Sequence, residues 1–182
     1  PTYDIFASTA DWTRDSARKS LGLTSEPMVL YFGAVRPYKG LKWLVDASPE
    51  IIKNTPGCRI FCVGDYWDGP DEFENQAKSL GTFFNETHPE NGGLKIVSGY
   101  IPNEEVATYI RAADIVVLPY RSATQSGVIP IAYCCERPVL VTRVGGLADV
   151  VDEGKSGFLI PPEDPKALAD AKKVLNYVDR MA

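Results

Sequence analysis

Two hydrophobic rhythms alternate along the chain. Short, nearly continuous apolar runs rich in Val and Ile, "PMVLYFGAV", "CRIFCVGD", "LKIVSGY", "DIVVLPY", "RPVLVT" and "GFLIP", predict strands. Between them lie segments of helical period: "GLKWLVDASPEIIKN", "DEFENQAKSL", "NEEVATYIRAA", "SGVIPIAYCCE" and "LADVVDE", with "DPKALADAKKVLNYVDRM" at the end. Strands without polar alternation have both faces buried. Regular helical crossovers therefore predict a doubly wound α/β sheet of about six parallel strands. Asn103, with Glu104 and Glu105 behind it, is expected to cap one helix, and Asp164-Pro165 to open the last.

The first 25 residues break the alternation and predict only a short helix, "RDSARKSLGL". They read as a lead-in, so the expected division is residues 1–26 as linker from an upstream domain and 27–182 as one Rossmann-like domain. A start on Pro1 instead of Met fits a piece of a longer chain, with any targeting segment lost upstream.

Composition narrows the partners. A chain of 182 residues with 45% hydrophobic content can bury a substantial core, and a formal charge of −5 argues against nucleic acid. No apolar run reaches the roughly 20 residues of a membrane span. Cys58, Cys62, Cys134 and Cys135 lack metal-ligand spacing and read as reduced thiols of a cytoplasmic protein. The lone His88 reads as a loop residue, and Asn85-Glu86-Thr87 as a sequon of consequence only in a secreted protein.

In an open parallel sheet the ligand-binding loops follow the carboxyl ends of strands where strand order reverses. After the first strand, Gly33 permits a sharp turn, and Arg36 and Lys39 place two cations near a helix start, an arrangement suited to a diphosphate. After "DIVVLPY", the run Thr124-Gln125-Ser126-Gly127 offers hydroxyls, an amide and helix-start N–H groups, and Gly145-Gly146 makes a third small-residue turn. A solvated turn at the first loop and a simple N-cap at the second are the plainer explanations. These loops contain no Ser-His-Asp set, paired catalytic carboxylates, metal cluster, Walker-type loop or G-x-G-x-x-G fingerprint. They predict binding of a phosphorylated ligand rather than proton transfer.

"FGAVRPYKGLKWLVDA", "GYIPNEEVATYIRAADIVVLPY", "SGVIPIAYCCERPVLVTRVGGLADVV" and "GKSGFLIPPEDPKALADA" resemble, in that order, the donor-binding C-terminal domain of group 1 glycosyltransferases. These are retaining enzymes of glycosyltransferase family 4 and GT-B type. The resemblance implies a hexosyltransferase that moves a sugar such as mannose or glucose from a nucleotide-diphosphate donor, as in polysaccharide biosynthesis, without a cofactor or metal. It implies that Lys39 and the displaced Arg36 stabilise the departing diphosphate. Gly33, Thr124, Gln125 and the amides of Ser126, Gly127 and Val128 would bind the donor, and the backbone of Tyr100, Ile101 and Pro102 would line the base. A carbohydrate or lipid-linked acceptor would come from a missing N-terminal domain, so this chain alone is expected to be inactive. The full-length protein is expected in the cytoplasm, with peripheral association at the membrane face.

One departure bears on function. The family pattern has two glutamates eight positions apart, at positions occupied here by Ala123 or Thr124 and by Ile131 or Ala132. Glu136, standing where the pattern has glycine, is expected at a solvated helix end. Two alternatives stay open: a non-catalytic nucleotide-sugar-binding module, and a sugar-nucleotide epimerase, which would need acid–base side chains beside the sugar.

Overall fold

The computed structural model describes residues 13–170. All six expected strands form: β1 (Met28–Phe32), β2 (Arg59–Gly64), β3 (Gly93–Ser98), β4 (Ile115–Leu118), β5 (Val139–Thr142) and β6 (Gly157–Ile160). They make one parallel sheet in the order β3-β2-β1-β4-β5-β6. Chain order reverses between β1 and β4, where Val29 is in register with Ile115 and Leu30 with Val116. Loops leaving the carboxyl ends of these two strands therefore flank a crevice with no crossover above it.

The helices are α1 (Arg14–Ser20), α2 (Leu41–Asn54), α3 (Asp71–Ser79), α4 (Asn103–Ala112), α5 (Val128–Cys134) and α6 (Pro165–Ala169). Strand residues alternate between two cores. Leu30, Val63, Val116 and Val141 pack with Ala17, Ile110, Ile129 and Ala132, so α1, α4 and α5 cover one face. Val29, Tyr31, Ile60, Cys62, Val117 and Leu140 pack with Leu44, Ile51, Ala77 and Leu168, so α2, α3 and α6 cover the other. Burial on both faces explains why the strand sequences lack polar alternation.

The lead-in packs into this framework from Thr13 onward. Ala17 and Leu23 are buried. Arg18 is buried too and donates to the carbonyls of Ala112 (2.8 Å), Thr24 (2.9 Å) and Glu26. Arg14 and Arg18 both pair with Asp114, whose second oxygen accepts the Met28 amide at 2.7 Å. Three chain segments thus meet at the amino ends of β1 and β4.

Three local expectations need correction. Asn103 is the first helical residue of α4, with Pro102 in the cap position and no side-chain cap; the extended backbone at Pro102 brings the helix in one residue early, so the Asn103 side chain sits past the cap position. "LADVVDE" forms no α-helix. The 3₁₀ turn Gly145–Val150 takes its place, because β-branched Val150 and Val151 disfavour helix and the Val150 carbonyl is used by the Tyr133 hydroxyl at 3.2 Å. α5 begins at Val128 rather than Ser126 and ends at Cys134. Beyond it Glu136 is exposed at φ 58°, marking the solvated helix end the sequence suggested.

Asp164 caps α6 as expected, accepting from the amides of Lys166 and Ala167, both at 3.0 Å; the rest of the predicted closing helix lies outside the described residues. None of the four cysteines forms a disulfide; Cys58, Cys62 and Cys135 are buried and Cys134 is half-buried. Burial pushes the Cys58 thiol up to about 12 and Cys62 upward as well, so neither is a ready thiolate.

Candidate functional site

Three contacts fasten the loop after β1 to the loop after β4. The Arg121 amide donates to the Tyr38 carbonyl at 2.7 Å. The Tyr38 and Tyr120 rings meet edge-on, with centroids 6.3 Å apart. Gly40, at φ 66°, lies so close to the end of β4 that an added Cβ would stand 1.9 Å from the Pro119 carbonyl oxygen. That approach and the left-handed backbone both exclude a side chain, which is the physical content of the glycine closing "RPYKG". On the far side of the crevice, Gly145 packs equally tightly on the Ala123 carbonyl. The Thr142 hydroxyl also donates to the Tyr120 carbonyl at 2.6 Å. Three carboxyl-end loops, those after β1, β4 and β5, are thereby held at one edge.

Lys39 ends the 3₁₀ turn Pro37–Lys39 and reaches back over the switch. Its ammonium lies 5.7 Å from the Tyr120 ring centroid and 3.5 Å from where a Cβ on Gly33 would stand. The same Gly33 position is 3.8 Å from the Val128 side chain at the start of α5. Gly33 thus faces both Lys39 and Val128 at ordinary contact distance. Burial lowers the Lys39 pKa, and the Arg36 charge lowers it further.

Lys39, Tyr38, Tyr120, Gln125, Ser126, Gly127, Val128 and Ile131 border a hollow of about 370 Å³. A second, of about 690 Å³, adjoins it through Tyr38 and Gln125 and is bordered by Arg121, Thr124 and Gly145. Lys39 and the start of α5 therefore face one space, with Thr124 beside it. The Val128 amide is already engaged by the Ser126 hydroxyl at 3.3 Å, and that hydroxyl is 3.4 Å from the Tyr120 phenol.

Arg36 goes elsewhere. Its guanidinium donates to its neighbour's carbonyl, Val35 O, at 2.8 Å and lies 4.8 Å from the Trp67 ring centroid, on the other side of the turn from Lys39. Tyr100 is exposed and Ile101 and Pro102 are half-buried at the carboxyl end of β3, the sheet's edge strand, and none of them borders the two hollows. The structure thus gathers Gly33, Lys39, Thr124, Gln125, Ser126, Gly127 and Val128, and leaves Arg36, Tyr100, Ile101 and Pro102 on neighbouring parts of the same edge.

Sequence reasoning missed Tyr38, Tyr120 and Arg121 as bordering residues. Tyr120, at the carboxyl end of a fully apolar strand, gave the available signal; the others become visible only when the loops are folded together. No group of three or more His, Cys, Asp or Glu residues that could hold a metal occurs among the described residues. Nor does any carboxylate border the two hollows. The arrangement can hold an anion by one cation, helix-start amides and hydroxyls.

Comparisons with known proteins agree with this architecture. The C-terminal domain of a glycosyl transferase group 1 family protein from Francisella tularensis superposes with a TM-score of 0.78 at 18% identity, over 97% of this chain and 87% of that one. Sucrose-phosphate synthase from Thermosynechococcus elongatus gives the same TM-score at 28% identity, over 98% of this chain and 43% of that one. The fold is the doubly wound, Rossmann-like half of a GT-B glycosyltransferase. The family described as glycosyl transferases group 1 matches residues 26–175, and the chain belongs to it.

Among curated relatives, the D-inositol 3-phosphate glycosyltransferase of Nocardioides sp. is 33% identical over 93% of this chain. The alpha-D-kanosaminyltransferase of Streptomyces kanamyceticus is 27% identical over 87%. The chain spans about two fifths of the length of such relatives, 39% and 38% in these two cases. No described helix is long and apolar enough to cross a membrane.

Proposed function

We propose that this chain is the donor-binding half of a retaining hexosyltransferase, holding a nucleotide-diphosphate sugar such as a mannose or glucose donor without a metal. One observation carries the reading: the Lys39 ammonium sits at the β1/β4 switch in the same hollow as Ser126, Gly127 and Val128 at the start of α5. Amides in a helix's first turn lack partners within the helix, and with a fixed cation beside them they favour a diphosphate. Sucrose-phosphate synthase, 28% identical, and the curated transferases make a sugar-transfer role the natural one.

In the reaction Lys39 and the α5 start would oppose the charge that grows on the diphosphate as its bond to the sugar breaks. Groups already in place stabilise that charge without reorganising. Arg36 would join them by leaving Trp67. The acceptor hydroxyl would enter from an N-terminal domain across the sheet edge, so this chain alone would bind donor and transfer nothing. Thr124 and Gln125 would contact the sugar, Tyr100, Ile101 and Pro102 the base, and the whole enzyme would work in the cytoplasm, at the membrane face when its acceptor is lipid-linked.

Calorimetric titration with GDP, UDP and ADP tests the reading: one should bind, and Lys39→Ala should weaken it. Failure of all three to bind would refute it. Because no carboxylate borders the two hollows, the observation also favours a second reading, a module that binds nucleotide sugar without turning it over. Slow donor hydrolysis by the full-length protein would decide for the enzyme. The same lack of acid–base groups weighs against an epimerase.

A further inference from the structure

The turn Pro37–Lys39 is a partition. Tyr38 and Lys39 border the hollow at the switch, whereas Arg36 and Pro37 border a separate hollow of about 320 Å³. This one lies between the loops after β1 and β2 and the starts of α2 and α3, on the α2/α3 side of the sheet edge. Its walls include Trp43, Trp67 and Phe73, and Asp68 and Glu72 supply carboxylates. Arg121 borders both this hollow and the 690 Å³ one, so the two are neighbours along the edge.

Trp67 is 75% exposed, an unusual position for the largest apolar side chain. The Arg36 guanidinium against one side holds the ring in place while leaving most of it to solvent. A flat apolar wall with carboxylates beside it, each offering two acceptor oxygens, matches a pyranose, which has an apolar C–H face and hydroxyls around its rim. Arg36, Lys42 and Arg121 border the hollow as well, so donors stand beside the carboxylate acceptors. The side of the turn with aromatic walls and carboxylates and the side with Lys39 and no carboxylate therefore offer different chemistries.

We propose that this hollow is a carbohydrate subsite in which Trp67 is the platform for a pyranose of a saccharide acceptor and Asp68 and Glu72 accept its hydroxyls. The assignment of that pyranose to the acceptor rests on reading the neighbouring hollow as the donor site. Calorimetric titration of this chain with the homotrisaccharides of glucose, mannose, galactose and N-acetylglucosamine is the test. At least one should bind; Trp67→Ala should weaken it by about tenfold, the scale of one lost aromatic contact. Asp68→Asn should weaken it too, Trp67→Phe should keep most of the affinity, and all three variants should still bind nucleotide diphosphate. Exposure of Trp67 keeps folding out of the result, which unchanged thermal midpoints verify. The subsite is disproved if no trisaccharide binds or if Trp67→Ala binds it undiminished. Failure of the donor reading would appear separately, as loss of nucleotide binding to the parent chain.

Discussion

The Lys39 ammonium stands 5.7 Å from the centroid of the Tyr120 ring, so the cation contributed by one switch loop rests on the aromatic residue that ends β4. The pairing aims Lys39 across the crevice toward α5. Lys39→Ala should weaken binding of the preferred nucleotide diphosphate by about thirtyfold, or about 2 kcal/mol, the scale of one charge-assisted hydrogen bond. Its thermal midpoint should not fall, because a half-buried ammonium near Arg36 adds no stability. Calorimetry and thermal unfolding on the same sample check both halves.

Alkaline pH should weaken the same binding early. Burial, with Arg36 adding to it, holds the Lys39 pKa below the ordinary lysine range. The folded pKa is thus below the unfolded value of about 10.4. The stability penalty this group imposes is full at lower pH and relaxes as pH rises through the folded pKa. Diphosphate affinity runs the other way and should fall as Lys39 loses its proton. Titrations between about pH 7 and pH 10 should show the fall in the parent but not in Lys39→Arg, whose guanidinium stays charged.

Gly40→Ala should destabilise the fold by about 2 kcal/mol or more. The substituted residue would have to hold φ 66° with its Cβ 1.9 Å from the Pro119 oxygen, or else part the two switch loops. Urea unfolding measures the loss, and a midpoint equal to the parent's would show that the loops are not locked there.

Tyr31 is buried in β1, its phenol has no hydrogen-bond partner among the described residues, and burial pushes its pKa well up. Removing the hydroxyl removes an unsatisfied polar atom, so Tyr31→Phe should be neutral or stabilising by about 1 kcal/mol. A marked loss of stability would reveal a partner for that oxygen.

Asp114 accepts the Met28 amide and pairs with Arg14 and Arg18. Asp114→Ala strands the buried Arg18 charge and should cost about 3 kcal/mol, read as a lower urea midpoint.

Strand positions were legible because burial on both faces leaves an unbroken Val- and Ile-rich signature, as in "DIVVLPY". Lys39 and the Ser126-Gly127 start were legible because glycine-punctuated exits from two strands point to one edge once the sheet is parallel. The destination of Arg36 was not legible, since an arginine between two hollows takes its place from Trp67, a residue 31 positions later that forms no local pattern with it. The missing helix at "LADVVDE" was hidden for the same kind of reason, its carbonyl claimed by Tyr133 from another helix. The lead-in reads as separable because its sequence lacks the α/β rhythm; its attachment through Arg18 and Asp114 is a long-range charge contact that periodicity does not encode.

That charge cluster sits where β4 begins, while Lys39 and Tyr120 meet where β4 ends. One strand therefore has its anchoring at one tip and its chemistry at the other. An engineer can strengthen the first without disturbing the second, because effects at sites so far apart and sharing no partner are close to additive. Robustness and ligand choice in this domain are separate dials.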